Sequence, residues 1–512
     1  MSAADQTAQR TLEGLGLLAL AVTGPAPDPA APVAGIAVDS REVREGFVFV
    51  AVPGVKRDGA TFGQFAVRQG AAAVVATPAG AEVIRDDLGG LPVPVFLTDE
   101  PRAWLSRLAA AFHGRQPAVM AAVTGTNGKT STAHFLREIW AHAGLAAAAI
   151  GTTGVEGEGF AEPGSHTTPE PVALHALLAR LADKGCTHAV MEASSHGLAQ
   201  HRLDGVRLTA AALTHITRDH LDYHASFEDY VAAKLRLFGA VLPEGAAAVL
   251  NIDDPAFAQA RRIAEARGQR VIATGRAAGA DLRIGAARFH AGGQTVVFHW
   301  AGAEHRVDLR LVGDFQAENV ATAAALAMGT GVDAQTVFAA LPGLSGVRGR
   351  MQLSARRANG ASVYVDYAHT PDALASALKA LRPHCAGNLV VVFGAGGDRD
   401  RGKRPLMGEA AARHADQVIV TDDNPRSEPP AAIRRAVLAG CPQANEIGER
   451  AAAILAGVDA LRGPGDCLLV AGKGHEQGQE VAGRILPFDD VAQAAASVAA
   501  LDGAEAALGG GR

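Results

Sequence analysis

The stretch "VTGTNGKTST" (123–132) carries an apolar run into glycines, a lysine and several hydroxyl residues. Glycines let backbone N–H groups close on phosphate oxygens. Lys129 brings positive charge to a terminal phosphate, Thr130 offers a hydroxyl to magnesium, and a helix starting there adds its dipole. Gly125, Thr126, Asn127, Gly128, Lys129, Thr130 and Ser131 are thus the expected loop for ATP or GTP. The loop is a shortened form, since the usual GxxxxGK[ST] pattern wants glycine where this chain has Val123. Kinases, motor ATPases, switches and ligases all use such loops, so the loop alone names no reaction.

Other polar clusters surround it in sequence. "VMEASSHGLAQHR" puts Glu192 just after a strand-like run, where a carboxylate is a magnesium-ligand candidate or a solvated loop acid. No G-x-S-x-G elbow surrounds its serines, which disfavours a serine hydrolase. In "THITRDHLDYHASFEDYVAAK", His220 and His224 are four apart, as in a zinc helix, but the HExxH glutamate is missing. Lys234, taken alone, reads as a helix-surface lysine. "FGAGGDRDRGKR" has Arg399 where a dinucleotide fingerprint needs glycine, so it reads instead as a cationic strand tip facing an anion. "TDDNPRSEPP" (421–430) packs two acids, an amide, a proline and Arg426 after a strand-like run. An arginine there suits a carboxylate, which wants a planar two-pronged donor.

Strand-like runs alternating with helical stretches must hold these groups. Three regions are expected, at 1–99, 100–346 and 347–512, since 512 residues exceed one core. In the first, "GIAVDS", "GFVFVAV", "AAAVVA" and "VPVFLT" read as strands, and "RAWLSRLAAAFHG" as a linking helix. The second opens on the strand "AVMAAVTG" and a helix with Phe135, Leu136, Ile139, Trp140 and Ala143 on one face. The third carries "SVYVDYA", "NLVVVFGAGG", "QVIVTDDNP" and "DCLLVAGKG", each ending in glycine or charge. Such alternation argues for α/β architecture: an N-terminal α/β domain, a central doubly wound sheet with the phosphate loop, and a C-terminal Rossmann-like domain. Ligands in such sheets sit beyond the carboxyl ends of the strands. Runs of alanine are given no weight.

The net charge of −6 provides no basic surface for nucleic acid. Four scattered cysteines without a CxxC pair fit a reducing, cytoplasmic setting rather than a zinc ribbon or a disulfide framework. "GLGLLALAV" imitates a signal core but has acids before it and no cleavage box after it. No run reaches the ~20 apolar residues of a membrane span.

Taken together, "VDSREVREGFVFVAVPGVKRDG", "TGTNGKTS", "HTTPE", "MEASSHGLAQHR", "TRDHLDYHASFEDYVAAK", "VDYAHTPDAL", "GAGGDRDRGKRPLM", "DDNPR" and "GKGHE" resemble the Mur ligase family, in order and across all three regions. The likeness is strongest to members that handle diaminopimelate. It implies an ATP-dependent amide ligase, a monomer, joining meso-diaminopimelate to UDP-N-acetylmuramoyl-L-alanyl-D-glutamate in peptidoglycan synthesis, and so serving cell-wall biogenesis, cell shape and division. The resemblance implies UDP-substrate contacts at Ser40, Arg41, Thr167, Thr168, Ser194, Gln200 and Arg202, and ATP contacts at Asn319, Arg350, Asp366 and His369 besides the loop. It implies magnesium on Thr130 and Glu192, and a second ion on His220 and on Lys234 carrying carbon dioxide as a carbamate (N6-carboxylysine). With Lys129, these acid, histidine and lysine positions are the implied catalytic set. Diaminopimelate would meet Arg399, Asp423, Asn424, Pro425, Arg426, Gly472 and Glu476, with Arg426 on its distal carboxylate and Glu476 on its distal ammonium. Two positions depart from the family pattern: Ala60, where it has histidine, and Gln316, where asparagine is common. Open rivals are another amide ligase on the same scaffold, a nucleotide-gated protein with a dead site, and a P-loop kinase.

Overall fold

A computed structural model describes residues 10–54, 57–162, 164, 166–217, 219, 223–290 and 292–509. The chain divides into two compact units, Met1–Ala280 with Thr322–Ala334, and Asp281–Ala321 with Gln335–Arg512.

The first unit begins with a sheet ordered β1-β5-β4-β3-β2, built from Ala21–Thr23 (β1), Gly35–Ala37 (β2), Phe47–Val50 (β3), Ala71–Ala76 (β4) and Val95–Leu97 (β5). All pairings are parallel except that of β1 with β5. Apolar clusters cover both faces. The linking helix forms over Pro101–His113, with proline in its first turn and Gly114 in the left-handed region (φ 70) ending it. Its Leu105 and Leu108 pack into the core of this first sheet. Its Ser106 hydroxyl donates to Arg202 O at 3.1 Å and accepts from Gly205 N at 3.0 Å, so the same helix also supports the next layer.

That layer holds Val119–Thr124 (β6), Ala147–Gly151 (β7), Gly154–Glu156 (β8), His188–Glu192 (β9), Ala210–Leu213 (β10), Ala247–Asn251 (β11) and Arg270–Gly275 (β12). Their order is β12-β11-β10-β6-β9-β7-β8, parallel except for β8. The central strand β6 lies between β9 and β10, where the order turns back. This is the place where a doubly wound sheet opens a crevice for ligand. The alanine runs prove informative: Ala121, Ala122, Ala148, Ala189, Ala210, Ala211 and Ala212 are fully buried in these strands. A strand covered on both faces needs no polar alternation, and small side chains let helices approach it closely. The Lys129–His142 helix buries Phe135, Leu136, Ile139 and Trp140, the face expected from their spacing.

The second unit carries an antiparallel ribbon, Leu282–His290 (β13), Gly293–Trp300 (β14) and Ala303–Leu309 (β15). Its main sheet is ordered β16-β17-β21-β18-β19-β20, from Gln352–Arg356 (β16), Ser362–Asp366 (β17), Leu389–Phe393 (β18), Gln417–Val420 (β19), Asn445–Glu446 (β20) and Cys467–Ala471 (β21). Only the β16–β17 pairing is antiparallel. A separate hairpin pairs Gly478–Val481 (β22) with Arg484–Pro487 (β23). All four cysteines are buried and unpaired. Among the described residues no helix is long and apolar enough to cross a membrane.

One ion pair underlies the main sheet of this unit. Arg450 and Asp490 have fully buried side chains and are joined by two bonds of 2.7 Å. The same guanidinium donates to Asp422 O at 3.2 Å and Ala471 O at 3.1 Å, fastening the ends of β19 and β21. Breaking such a pair strands a charge in the interior. Arg450→Ala is therefore expected to destabilise this unit by about 3–5 kcal/mol, measured as a lowered denaturation midpoint. Arg450→Met combined with Asp490→Leu should recover most of that loss.

Candidate functional site

At the tip of β6 the chain turns through Gly125 (φ 147) and Gly128 (φ 86). Both conformations suit glycine, and a Cβ at Gly125 would overlap the Thr214 hydroxyl, which itself donates to Asn127 O at 2.7 Å. Gly128 caps the Lys129–His142 helix, so the loop's N–H groups and the helix N-terminus converge. Lys129 Nζ lies over the loop, donating to Gly125 O at 3.0 Å and Thr126 O at 2.9 Å. The Thr126 hydroxyl lies 2.8 Å from Tyr230 Oη and donates to Thr217 O at 3.0 Å.

Glu192 ends β9 and is 1% exposed. The Thr130 hydroxyl donates to its Oε1 at 3.0 Å, and Thr152 N donates to the same oxygen at 2.8 Å. Thr152 Oγ1 reaches Oε2 at 3.4 Å and Thr167 Oγ1 at 3.0 Å. Gly151 leaves room for this carboxylate, because a Cβ there would overlap Oε1. A buried carboxylate beside a hydroxyl, held by neutral donors, is the oxygen set that a hard divalent cation takes. Among the described residues no group of three or more His, Cys, Asp or Glu could hold a metal.

Lys234 corrects the surface reading. Its helix, Phe227–Arg236, starts on the Ser226 cap and turns Lys234 inward to 2% exposure. Its Nζ donates to Gly125 O at 2.7 Å and lies 4.5 Å over the Tyr230 ring. Burial, and then the Lys129 charge, push its pKa well below the usual lysine range, against an opposing pull from Asp219. The paired residue of the sequence argument, His220, lies outside the described residues.

Among the remaining expected contacts of this unit, Thr168, Ser194, Gln200 and Arg202 form one network. The Thr168 hydroxyl donates to Glu192 O at 2.8 Å and accepts from Ser194 N at 3.0 Å, and Ser194 Oγ caps the short helix at Gly197 N, also at 3.0 Å. Arg202 donates to Thr168 O at 2.6 Å and Gln200 Oε1 at 2.8 Å, and pairs with Glu170 at 2.5 Å. Arg41 is mostly exposed and folds back on Asp39, whose pKa falls to about 2 through that bond. Ser40 beside it is buried. Ala60 is buried in a short turn capped by Asp58.

In the second unit, Asp366 ends β17 and accepts from Met351 N at 2.6 Å and Ala368 N at 2.8 Å. Arg350 lies 4.9 Å over the Tyr367 ring, and the His369 ring is 4.6 Å from it. Gln316 finds a use, accepting from Asn319 Nδ2 at 3.1 Å. At the tips of β18, β19 and β21, three segments meet. Gly397 N donates to Asn424 O at 2.9 Å, and Asp398 accepts from Ser427 Oγ at 2.7 Å. Arg426 has φ 53, a left-handed conformation that is unfavourable for a residue with a Cβ. Its N–H donates to Glu480 O at 3.0 Å, and its carbonyl accepts from Ala482 N at 2.7 Å. Its side chain donates to Glu480 Oε2 at 3.0 Å and Gly397 O at 2.8 Å. Asn424 donates to Glu476 Oε2 at 2.9 Å. Gly472 (φ 120) must lack a side chain, because a Cβ would overlap Asp423 Oδ2. Pro425 O accepts from Glu428 N at 3.0 Å, closing the turn. Arg399 is exposed and makes no hydrogen bond among the described residues.

Three family descriptions match in order: "Mur ligase family, catalytic domain" over 32–113, "Mur ligase middle domain" over 123–327 and "Mur ligase, glutamate ligase domain" over 349–474. A curated relative from Rhizobium meliloti (strain 1021), UDP-N-acetylmuramoyl-L-alanyl-D-glutamate–2,6-diaminopimelate ligase, is 52% identical over 464 residues, covering 90% of this chain and 93% of its own. The chain belongs to the Mur ligase family. A solved structure of a ligase of the same name aligns with TM-score 0.71 and 34% identity, covering 94% of this chain and 97% of the other. The Mur ligase MurF of Thermotoga maritima, solved in complex with ADP, aligns at TM-score 0.57 and 21% identity, covering 86% of this chain and 94% of that one. At that identity the likeness speaks for the fold alone.

Two residues that bond to these strand tips in this Mur ligase escaped the sequence reading. Glu480 sits on the unexpected hairpin, although "QEVAGRIL" alternates around an Ala-Gly turn with φ 49 and φ 74, a hairpin signal. Lys473 lies in the quoted "GKGHE" but drew no role. The crowding at Gly151 yields a test. Gly151→Ala should displace the Glu192 carboxylate from Thr130 and lower kcat at least roughly tenfold, measured as ATP-dependent phosphate release. The melting temperature should change little.

Proposed function

We infer that this chain is an ATP-dependent ligase that adds meso-diaminopimelate to UDP-N-acetylmuramoyl-L-alanyl-D-glutamate, a cytoplasmic step in peptidoglycan precursor synthesis. The side-chain carboxylate of the D-glutamate attacks the γ-phosphate of ATP, giving an acyl phosphate and ADP. An amine of diaminopimelate then attacks the acyl carbon, and the tetrahedral intermediate collapses with loss of inorganic phosphate. A carboxylate is a poor electrophile, so the phosphoryl group supplies the leaving group.

Residues of this chain have separable tasks. The N–H groups of 125–131 cradle the phosphates, and Lys129 offsets charge on the terminal one. Arg202 fixes Thr168 and Gln200, which with Ser40, Arg41, Thr167 and Ser194 meet the UDP-dipeptide. Asn319, Arg350, Asp366 and His369 take other parts of ATP, with Tyr367 as an aromatic wall beside Arg350.

Thr130 and Glu192 would hold one magnesium ion, and His220 with Lys234 as a carbamate would serve a second. Bound there, magnesium neutralises phosphate oxygens as charge moves between them. Lys234 fits the modification because it is buried beside the loop, where burial holds its amine well below the usual lysine range.

The choice of amino acid is carried by one observation: the Arg426 guanidinium stands on a left-handed backbone at the end of β19, braced by Glu480 and Gly397 O. A planar donor so held suits a carboxylate at the far end of a two-headed amino acid, and lysine has none there. Asn424, Asp423, Pro425, Arg399, Gly472 and Glu476 complete that pocket.

Phosphate release from ATP with the UDP-muramoyl dipeptide, comparing diaminopimelate, lysine and D-alanyl-D-alanine, tests the whole reading; it should require diaminopimelate. Arg426→Ala should raise the diaminopimelate KM roughly 100-fold and leave the ATP KM near its original value. An unchanged diaminopimelate KM removes the clamp. Lys234→Ala should abolish turnover by roughly 1,000-fold, and bicarbonate should not restore it. Near-normal turnover disposes of the carbamate.

A further inference from the structure

Lys473 is fully buried just past the end of β21, and the acid its ammonium pairs with, Glu476, is itself partly exposed. It donates to Asn424 Oδ1 at 2.9 Å and to Glu476 Oε2 at 3.1 Å. Asn424 Nδ2 donates to that same Glu476 Oε2 at 2.9 Å, closing a three-membered ring of side chains. Glu480 N also donates to Asn424 Oδ1, at 2.9 Å. The amide is thus fixed in one orientation: two donors meet its oxygen, so its nitrogen must face Glu476. Every described hydrogen bond to the Glu476 carboxylate falls on Oε2, and the side chain is 34% exposed. Oε1 is the oxygen that remains for an incoming donor.

We propose that Lys473 is a positioning residue for amino-acid recognition: it locks Asn424 and ties down one oxygen of Glu476, so that the other accepts the distal ammonium of the substrate. This rests on the reading of the chain as a diaminopimelate ligase. It also explains why a cation sits beside a carboxylate meant for another cation. A free carboxylate can rotate and share a ligand between its oxygens, whereas one anchored at Oε2 presents Oε1 in a single direction. A hydrogen bond needs that alignment to reach full strength. The brace extends to the opposite end of the pocket, since Glu480 supplies both the N–H on Asn424 and the carboxylate on Arg426.

The test compares diaminopimelate with 2-aminopimelate, which keeps the distal carboxylate but lacks the distal amine. The unaltered enzyme should favour diaminopimelate strongly in kcat/KM; failure of diaminopimelate to react at all would remove the functional reading itself. In Lys473→Met the diaminopimelate KM should rise at least tenfold with kcat and the ATP KM within threefold, and the preference over 2-aminopimelate should shrink by a similar factor. Lys473→Arg should recover part of that preference. A Lys473→Met enzyme that keeps the full preference, or loses kcat and all affinities together, overturns the proposal. If the variant does not fold, a diaminopimelate-bound crystal structure of the unaltered protein decides. The ammonium on Glu476 Oε1 with the Lys473–Asn424 bond intact supports the proposal, and an ammonium on Oε2 with Lys473 displaced refutes it.

Discussion

A carboxylate removed from water has to be satisfied by what surrounds it, and Glu192 shows how much of the first unit is arranged to do so. Its oxygens take the Thr130 hydroxyl, the Thr152 N–H and the Thr152 hydroxyl. None of these donors carries a full charge, so among its described partners no arginine or lysine competes with a cation for this carboxylate. Gly151 yields the space, and Thr168 connects the Glu192 carbonyl to Ser194 and, through its own carbonyl, to Arg202. The glycine turn after β6 and the segment after β9 are therefore parts of one hydrogen-bonded assembly at the ends of adjacent strands.

The second unit solves the same problem with the opposite sign. Its strand tips carry Arg450, Lys473 and Arg426, and each cation is given carbonyl oxygens or amide oxygens besides its acid. Arg450 fastens the ends of β19 and β21, Lys473 holds Asn424 and Glu476, and Arg426 holds Glu480 and Gly397. Rigid scaffolding beneath a binding group is what keeps its geometry within the tolerance recognition requires.

Much of this was legible in the chain itself. The strands β2 to β6, β9, β17 to β19 and β21 follow from apolar runs ending in glycine or charge, because parallel strands covered on both faces write their burial directly into sequence. The turn after β6 was legible because Gly125 and Gly128 take backbone conformations that suit glycine. Other features were hidden for physical reasons. The ribbon β13–β15 is half solvated, and its alternation is masked by Gly285 and by a register shift between Ile284 and Ala287. Lys234 looked like a surface residue because helical spacing does not say which face meets a neighbouring loop. Arg450 and Asp490 are far apart in sequence, so nothing local announces their pairing. The alanine runs were discounted as composition, although small residues were what the central strands required.

The conformation of Arg426 bears on how such a pocket can change. Asp398, Arg426 and Ala482 all adopt φ near +50, on three segments tied to one another by backbone hydrogen bonds or side-chain caps. A lone exchange of the guanidinium for another side chain would leave this costly backbone in place without the bonds that offset it. The two loops and the hairpin therefore depend on one another, and a change in one bears on the other two. Engineers wishing to redirect the enzyme face the same unit of inheritance: a cassette of three pieces, rather than a single codon.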